Sequence, residues 1–314
     1  MSLSKDHPHP PSGNATRVAA STGALHVDGH YENFPVASWL VPHPQRPLVV
    51  AFYRFARHAD DIADEGDAPA TLRRARLASI AADIERLWAS APDGPASLTP
   101  SLAPVVAGLA PLRRAMPGLS QRPLLDLLSA FAQDIDKHRY DDRTELLDYC
   151  TRSANPVGRV MLRLFDIDDA EADRMSDAIC TSLQLINFWQ DAAIDAGRGR
   201  VYVPLADLAR HGLSADRFPA AGGHGVLMQE MCAWALASMQ EGAPLLGRLR
   251  GRFRWEIALT IAGGTRVLQK IAAAGFDVRE RPTLRWYDAP SLLRLAVAVL
   301  RRGADALTLA SRTT

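Results

Sequence analysis

Leu183-Gln-Leu-Ile-Asn-Phe-Trp-Gln-Asp-Ala-Ala-Ile-Asp195 is an apolar segment that closes on two aspartates, and it repeats the logic of an earlier one, Tyr53-Arg-Phe-Ala-Arg-His-Ala-Asp-Asp-Ile-Ala-Asp64. Positions three and four apart share a helix face. Asp191 and Asp195 therefore stand together, as do Asp60, Asp61 and Asp64. Extended backwards, one polar stripe runs through Gln184, Asn187 or Phe188, Asp191 and Asp195, and the other through Tyr53, Arg57, Asp60 and Asp64. Glu65, Gly66 and Asp67 follow the first stripe and Gly197 the second, so both acid groups fall in last turns by the usual stop signals. A helix C-terminus carries partial negative charge, and an exposed carboxylate there costs roughly 0.3–1 kcal/mol. Such stripes normally face water. Four or five carboxylates facing one hollow instead require cations, because like charges about 4 Å apart repel by about 4 kcal/mol at an effective dielectric of about 20. Hard oxygen ligands suit Mg²⁺, which commonly binds through one or two carboxylates together with substrate phosphates. The deduced ligand is a diphosphate held through magnesium.

The rest of the chain reads as helix almost throughout. Periodic segments span 48–64, 69–90, 100–115, 123–138, 144–153, 157–165, 168–195, 225–249, 253–274 and 291–309, with alternating strand patterns rare. Ser120 and Asp168 are the expected N-terminal caps of two of them. Breakers fall at Pro92 to Pro95, Pro117-Gly118, Asn155-Pro156, Gly197 to Gly199 and Ala220 to Gly223, and none shifts composition enough to divide the chain. The expected architecture is an all-α helical bundle around a central apolar cavity, formed by one domain over residues 30–314 behind a mobile arm, 1–29. That arm is rich in Pro, Ser, His and Gly and lacks the apolar run of a signal peptide, so a cytoplasmic location is expected. The composition, 47% hydrophobic and 23% charged with a net charge of +1, is that of a soluble globular protein and gives no basic excess for nucleic acid. Cys150, Cys180 and Cys232 lie far apart, without metal-ligand spacing, and read as small buried hydrophobes. The segment 291–310 carries Arg294, Arg301, Arg302 and Asp305 among Leu, Val and Ala. It reads either as a terminal core helix or as a helix resting on the inner membrane surface.

Four segments in order resemble the squalene and phytoene synthases: Asn33-Phe-Pro-Val-Ala-Ser-Trp-Leu-Val-Pro42, the 53–64 segment, Tyr149-Cys-Thr-Arg-Ser-Ala-Asn-Pro-Val-Gly158, and the 183–195 segment with Gly199-Arg-Val-Tyr-Val-Pro204. Within that family the wording is most similar to the bacterial hydroxysqualene synthases of hopanoid biosynthesis. The resemblance implies the isoprenoid-synthase helical fold, Mg²⁺ as cofactor, and a prenyl diphosphate, presqualene or farnesyl, as substrate. It implies magnesium ligation and catalysis by Asp60, Asp61, Asp64, Asp191 and Asp195, with Tyr149 catalytic as well. Tyr53, Arg57, Gln184, Asn187, Arg198, Arg200 and Tyr202 are the expected substrate-binding residues. The competing reading of Arg57 is a simple pair with Asp60 or Asp61, and of the loop arginines a helix C-cap. His58 and His138 read as surface or packing residues, with no second ligand at metal spacing.

Two departures from the family pattern sharpen the expectation. Where the family usually reads Arg-Asp and then Glu-Asp, this chain has Gln190-Asp191 and Ile194-Asp195, losing one cation and one carboxylate together and making the pocket less polar. After Tyr149 the family's Val-Ala-Gly wording gives way to Ser153-Ala-Asn-Pro156, and Pro156 is expected to break the helix. The expected reaction is Mg-dependent ionisation of presqualene diphosphate with capture by water. Neighbouring enzymes of squalene synthesis are the expected partners. The alternatives are a squalene, phytoene or dehydrosqualene synthase that condenses two prenyl diphosphates, and a catalytically silent assembly protein.

Overall fold

Helices account for nearly all regular structure in a computed structural model, which describes residues 41–89 and 103–310. The arm 1–29, most of the 33–42 segment, and the expected Pro92 to Pro95 break lie outside the described residues. The described residues fall in one unit, Asn33–Thr314. In chain order the helices are α1 (Arg46–Asp64), α2 (Ala70–Ala89), α3 (Ala103–Ala107), α4 (Ala110–Ala115), α5 (Arg122–Asp134), α6 (Arg143–Ser153), α7 (Asn155–Leu164), α8 (Ala170–Gln190), α9 (Ala192–Gly197), α10 (Leu205–Arg210), α11 (Gly225–Gly242), α12 (Gly251–Ala273) and α13 (Ala289–Arg302). Among the described residues no β-strand forms, and the sole bridge pairs Arg139 with Val201.

α8 is the axis of the bundle, packed against α6, α7, α11 and α12. Its cap is Asp169, whose carboxylate accepts from Glu171 and Ala172 N–H, one residue later than the Asp168 expected from sequence. The cap of α5 likewise moves from Ser120 to Gln121. Close approach to α8 relies on glycines: a Cβ on Gly158 of α7 would lie 2.3 Å from Ser176 Oγ, and one on Gly242 of α11 would lie 2.5 Å from the Met175 carbonyl oxygen. Polar groups on α8 are satisfied at the same contacts, Ser182 donating to Ala235 O at 2.6 Å and Trp189 Nε1 to Met231 O at 3.1 Å.

Three segments end differently from the periodic reading. The expected 168–195 helix divides at Asp191 (φ −102, ψ 9) into α8 and α9, although Asp195 N still donates to Asp191 O at 2.9 Å. The 225–249 segment stops at Gly242, where Pro244 turns the chain into 3₁₀ geometry. The last helix ends at Arg302, because Gly303 takes φ +61. α13 lays Ala296 and Val299 against α12 and is a terminal core helix on that side. The break expected at Pro156 is present: α6 stops at Ser153 and α7 opens at Asn155 with Pro156 in its first turn.

Candidate active site

α1 buries Val49, Phe52, Phe55, Ala59 and Ala63, which turns Tyr53, Arg57, Asp60 and Asp64 onto a less buried face. Glu65 is extended and Gly66 has φ +79, so the chain leaves the helix directly after the acids. Across from them the segment after α9 runs beside 138–141: Val201 N donates to His138 O at 2.8 Å and Leu205 N to Tyr140 O at 2.9 Å. Extended backbone alternates sides. Val201 and Val203 are buried, and Arg200 and Tyr202 take the other side. Arg200 closes the gap between the two acid groups, binding Asp64 through both nitrogens at 2.7 and 3.0 Å. The first acidic cluster and the 191–200 turn thus meet.

The remaining aspartates are held by arginines as well. Arg57 pairs with Asp61 at 2.7 Å, Glu65 at 2.9 Å and Asp60 at 3.4 Å. Arg281 reaches Asp191 from a loop 90 residues away, through Nε to Oδ1 and Nη2 to Oδ2 at 3.2 Å. Burial pushes Asp195 up to about 6, and the neighbouring charge of Asp191 adds to the effect. Arg198 is exposed and acts on Asp195 through charge alone at longer range. Gln184 and Asn187 are half-buried on the α8 face that leads to Asp191, and Tyr53 is half-buried one turn before Arg57.

Beneath the charged rim lies an aromatic wall. Tyr202 stacks on Phe188 at 3.8 Å between centroids and 7° between planes, with Tyr140 at 5.8 Å and Tyr149 at 6.5 Å. Tyr149 donates to Asp134 Oδ2 at 2.7 Å. Asp134 ends α5, and its other oxygen is buried with no hydrogen-bond partner. Burial pushes this carboxyl up to about 7, the charges of Asp64 and Asp60 adding to the rise. Burial likewise keeps the Tyr149 and Tyr202 hydroxyls neutral. Further along the same face of α8, Ser176, Ile179, Cys180 and Leu183 line a narrow apolar cavity of about 40 Å³ with Val157 and Met161 of α7. The larger hollow, about 480 Å³, is an open groove along Pro47, Val50, Arg54 and His58, roughly a quarter-turn around α1 from the acids.

Sequence reasoning missed Asp134 and Arg281. Asp134 had a visible signal, an acid at the C-terminal end of an apolar helix, which is the same anomaly that marked Asp60 and Asp191. Arg281 had none, because only tertiary folding carries that loop to α8. It also revises one expectation. Gln190 is buried and donates to Pro282 O at 2.6 Å, and Arg281 restores a cation beside Asp191. Ile194, which stands where the family carries the second carboxylate, is 44% exposed.

As donors for a metal, the aspartates offer hard oxygens, the ligand type a divalent cation takes. Among the described residues no three acidic, His or Cys side chains converge on one point, and Asp61, Asp64 and Asp191 are paired instead with Arg57, Arg200 and Arg281. The orphaned Asp134 oxygen and the raised Asp195 fit a site that gathers positive charge.

The family model for squalene/phytoene synthase matches residues 27–288. This chain belongs to the squalene/phytoene synthase family. Hydroxysqualene synthase of Sinorhizobium fredii is 33% identical over 249 residues, covering 76% of this chain and 79% of its own. Hydroxysqualene synthase of Rhodopseudomonas palustris is 31% identical over 257 residues, covering 80% and 82%. Among solved structures, squalene synthase HpnC from Alicyclobacillus acidocaldarius superposes with a TM-score of 0.70 at 34% identity, covering 79% of this chain and 90% of that one. As a squalene/phytoene synthase family member, the chain is a prenyl diphosphate-utilising enzyme, of a kind generally dependent on metal.

Proposed function

We propose that the chain converts presqualene diphosphate and water to hydroxysqualene and diphosphate. The observation that carries this reading is the assembly at one end of α8: Arg200 joins the acids of α1 to the 191–200 turn directly above four aromatic rings and a buried carboxyl. Relatives at 31–33% identity over three quarters or more of both chains, named hydroxysqualene synthases, support it.

In this reading Asp60, Asp61, Asp64, Asp191 and Asp195 would hold Mg²⁺, which supplies positive charge to the departing diphosphate when bound. Arg57, Arg200 and Arg281 exchange their carboxylate partners for phosphate oxygens, a planar donor fork suiting either anion, and the exposed Arg198 binds phosphate alongside them. The carbon–oxygen bond breaks heterolytically, the electron pair leaving with diphosphate. Tyr149, Tyr202 and Phe188 face the resulting cation with aromatic rings, which attract positive charge. Gln184 and Asn187 orient substrate through neutral hydrogen bonds, and Tyr53 completes the wall beside Arg57. Water then forms the new carbon–oxygen bond, and its proton passes to the free oxygen of Asp134. A carboxyl poised near 7 is matched to that task.

Product analysis tests the reading. Purified chain with Mg²⁺ and presqualene diphosphate is expected to give hydroxysqualene carrying oxygen from isotopically labelled water. Conversion of farnesyl diphosphate to presqualene diphosphate, squalene or dehydrosqualene would overturn it in favour of a head-to-head synthase. That second reading draws support from the 34%-identical structure, which is named a squalene synthase. A silent assembly protein is set aside if Asp60→Asn with Asp64→Asn abolishes turnover while the fold persists.

A further inference from the structure

Three of the exposed large apolar side chains lie within eight residues of one another: Trp286 at 88%, Tyr287 at 55% and Leu293 at 54%. A 3₁₀ turn, Trp286–Asp288, runs directly into α13, so Trp286, Pro290 and Leu293 follow steps of four and three along one outer face. The aromatic pair is held firmly rather than carried on a slack loop. Asp288 is buried beneath it and accepts from Lys270 Nζ at 2.6 Å, Arg266 Nε at 3.1 Å and Arg285 N–H at 2.9 Å. Lys270 also sits 5.5 Å over the Tyr287 ring, and Trp286 meets that ring edge-on at 5.8 Å. Apart from that edge contact Trp286 stays exposed, and exposed apolar patches of this kind mark contact surfaces.

The charge around the patch selects the partner. Residues 277–305 hold six arginines, 279, 281, 285, 294, 301 and 302, against Asp277, Glu280, the buried Asp288 and Asp305, a net of +2, and of the six Arg279 and Arg281 are paired with Asp277 and Asp191. Arg285, Arg294, Arg301 and Arg302 are exposed on the same segment. Aromatic side chains sit at the boundary between lipid headgroups and hydrocarbon, and clustered arginines complement anionic headgroups. The same segment leads into the active site. Arg281 binds Asp191 and Pro282 accepts from Gln190, and five residues of chain place Trp286 within about 17 Å of Arg281. Among the described residues no helix is long and apolar enough to cross a membrane, so this contact is with a surface.

We propose that Trp286, Tyr287 and Leu293, with the exposed Arg285, Arg294 and Arg301 of the same segment, form a docking face for an anionic lipid bilayer, and that this face sets the mouth of the active site against the membrane. The inference concerns the partner of the chain and stands apart from the identity of the reaction.

Cosedimentation of the full chain with vesicles of phosphatidylcholine, alone or mixed with phosphatidylglycerol, tests it without substrate. Wild type is expected to bind the mixed vesicles at least about tenfold better than the neutral ones. Trp286→Ser with Leu293→Ser, and separately Arg285→Gln with Arg294→Gln, are expected to lose that binding, whereas Val226→Ser, which removes an exposed apolar group on α11, retains it. Absence of binding to mixed vesicles, or equal binding by both double variants, overturns the proposal. So does vesicle-free self-association that depends on Trp286, which would assign the face to a second copy of the chain. Turnover of presqualene diphosphate in detergent micelles keeps the two readings separate. The double variants are expected to match wild type there, and a failure of all proteins to turn over bears on the reaction alone.

Discussion

Asp134 carries the largest unrelieved cost among the residues of the site. A carboxyl whose folded value is about 7 against an ordinary 3.8 binds its proton more tightly in the native state, so its burial penalises folding in full above about pH 7, and the penalty shrinks as pH falls from 7 and is gone only below 3.8. The gap sets an upper bound of roughly 4 kcal/mol. Metal-free Asp134→Asn is therefore expected to gain more stability over wild type near pH 8 than near pH 5, read as the difference between urea midpoints at the two values. Equal differences at both pH values would remove the claim. Catalysis should fall in the same variant, since its amide no longer accepts a proton. Arg281 behaves oppositely. Its pair with Asp191 is about 30% exposed on both sides, so Arg281→Gln should change stability by less than about 1 kcal/mol. It should nevertheless lower kcat/KM at least about tenfold, the loss expected for a charge-assisted contact to phosphate. Thermal melts alongside steady-state kinetics check both halves. Asp60, Asp64 and Asp191 were legible as a site because acids at helix C-termini contradict local electrostatics; Arg281 was not, since an arginine in a polar loop contradicts nothing.

At the scale of elements, the site depends on how closely α7 and α11 approach α8. Gly242 has ordinary backbone angles, so its constraint is purely steric: a methyl there would meet the Met175 carbonyl and the Ile179 backbone nitrogen. Backbone atoms inside a helix cannot step aside. Gly242→Ala is expected to cost roughly 1–3 kcal/mol, seen as a lower melting temperature, while Gly247→Ala, with nothing within 4 Å, is expected to leave it nearly unchanged. The periodicity of α8 was readable across its whole length, but its division at Asp191 was not. Hydrogen bonding continues from Asp191 O to Asp195 N through the bend, so the spacing of the acids looks helical whether or not the axis turns.

For the whole molecule, the arginine clamps predict how ligands act. Mg²⁺ with inorganic diphosphate should raise the melting temperature, because a ligand that binds only the native state stabilises it in proportion to its occupancy. The rise should disappear in Asp61→Asn with Asp191→Asn; a rise of the same size there would place the anion elsewhere. Sequence alone determined that the chain is helical, that acids gather at the ends of two apolar helical segments, and that its segments follow the order of the squalene/phytoene synthase family, since periodicity and motif order are local properties written along the chain. Tertiary structure alone decided which arginine holds which aspartate, that Asp134 joins Tyr149 beneath the acids, and that Trp286 stands in solvent beside the site. Those depend on distances between residues far apart in sequence and on the water excluded from between them, which packing sets and no single segment encodes.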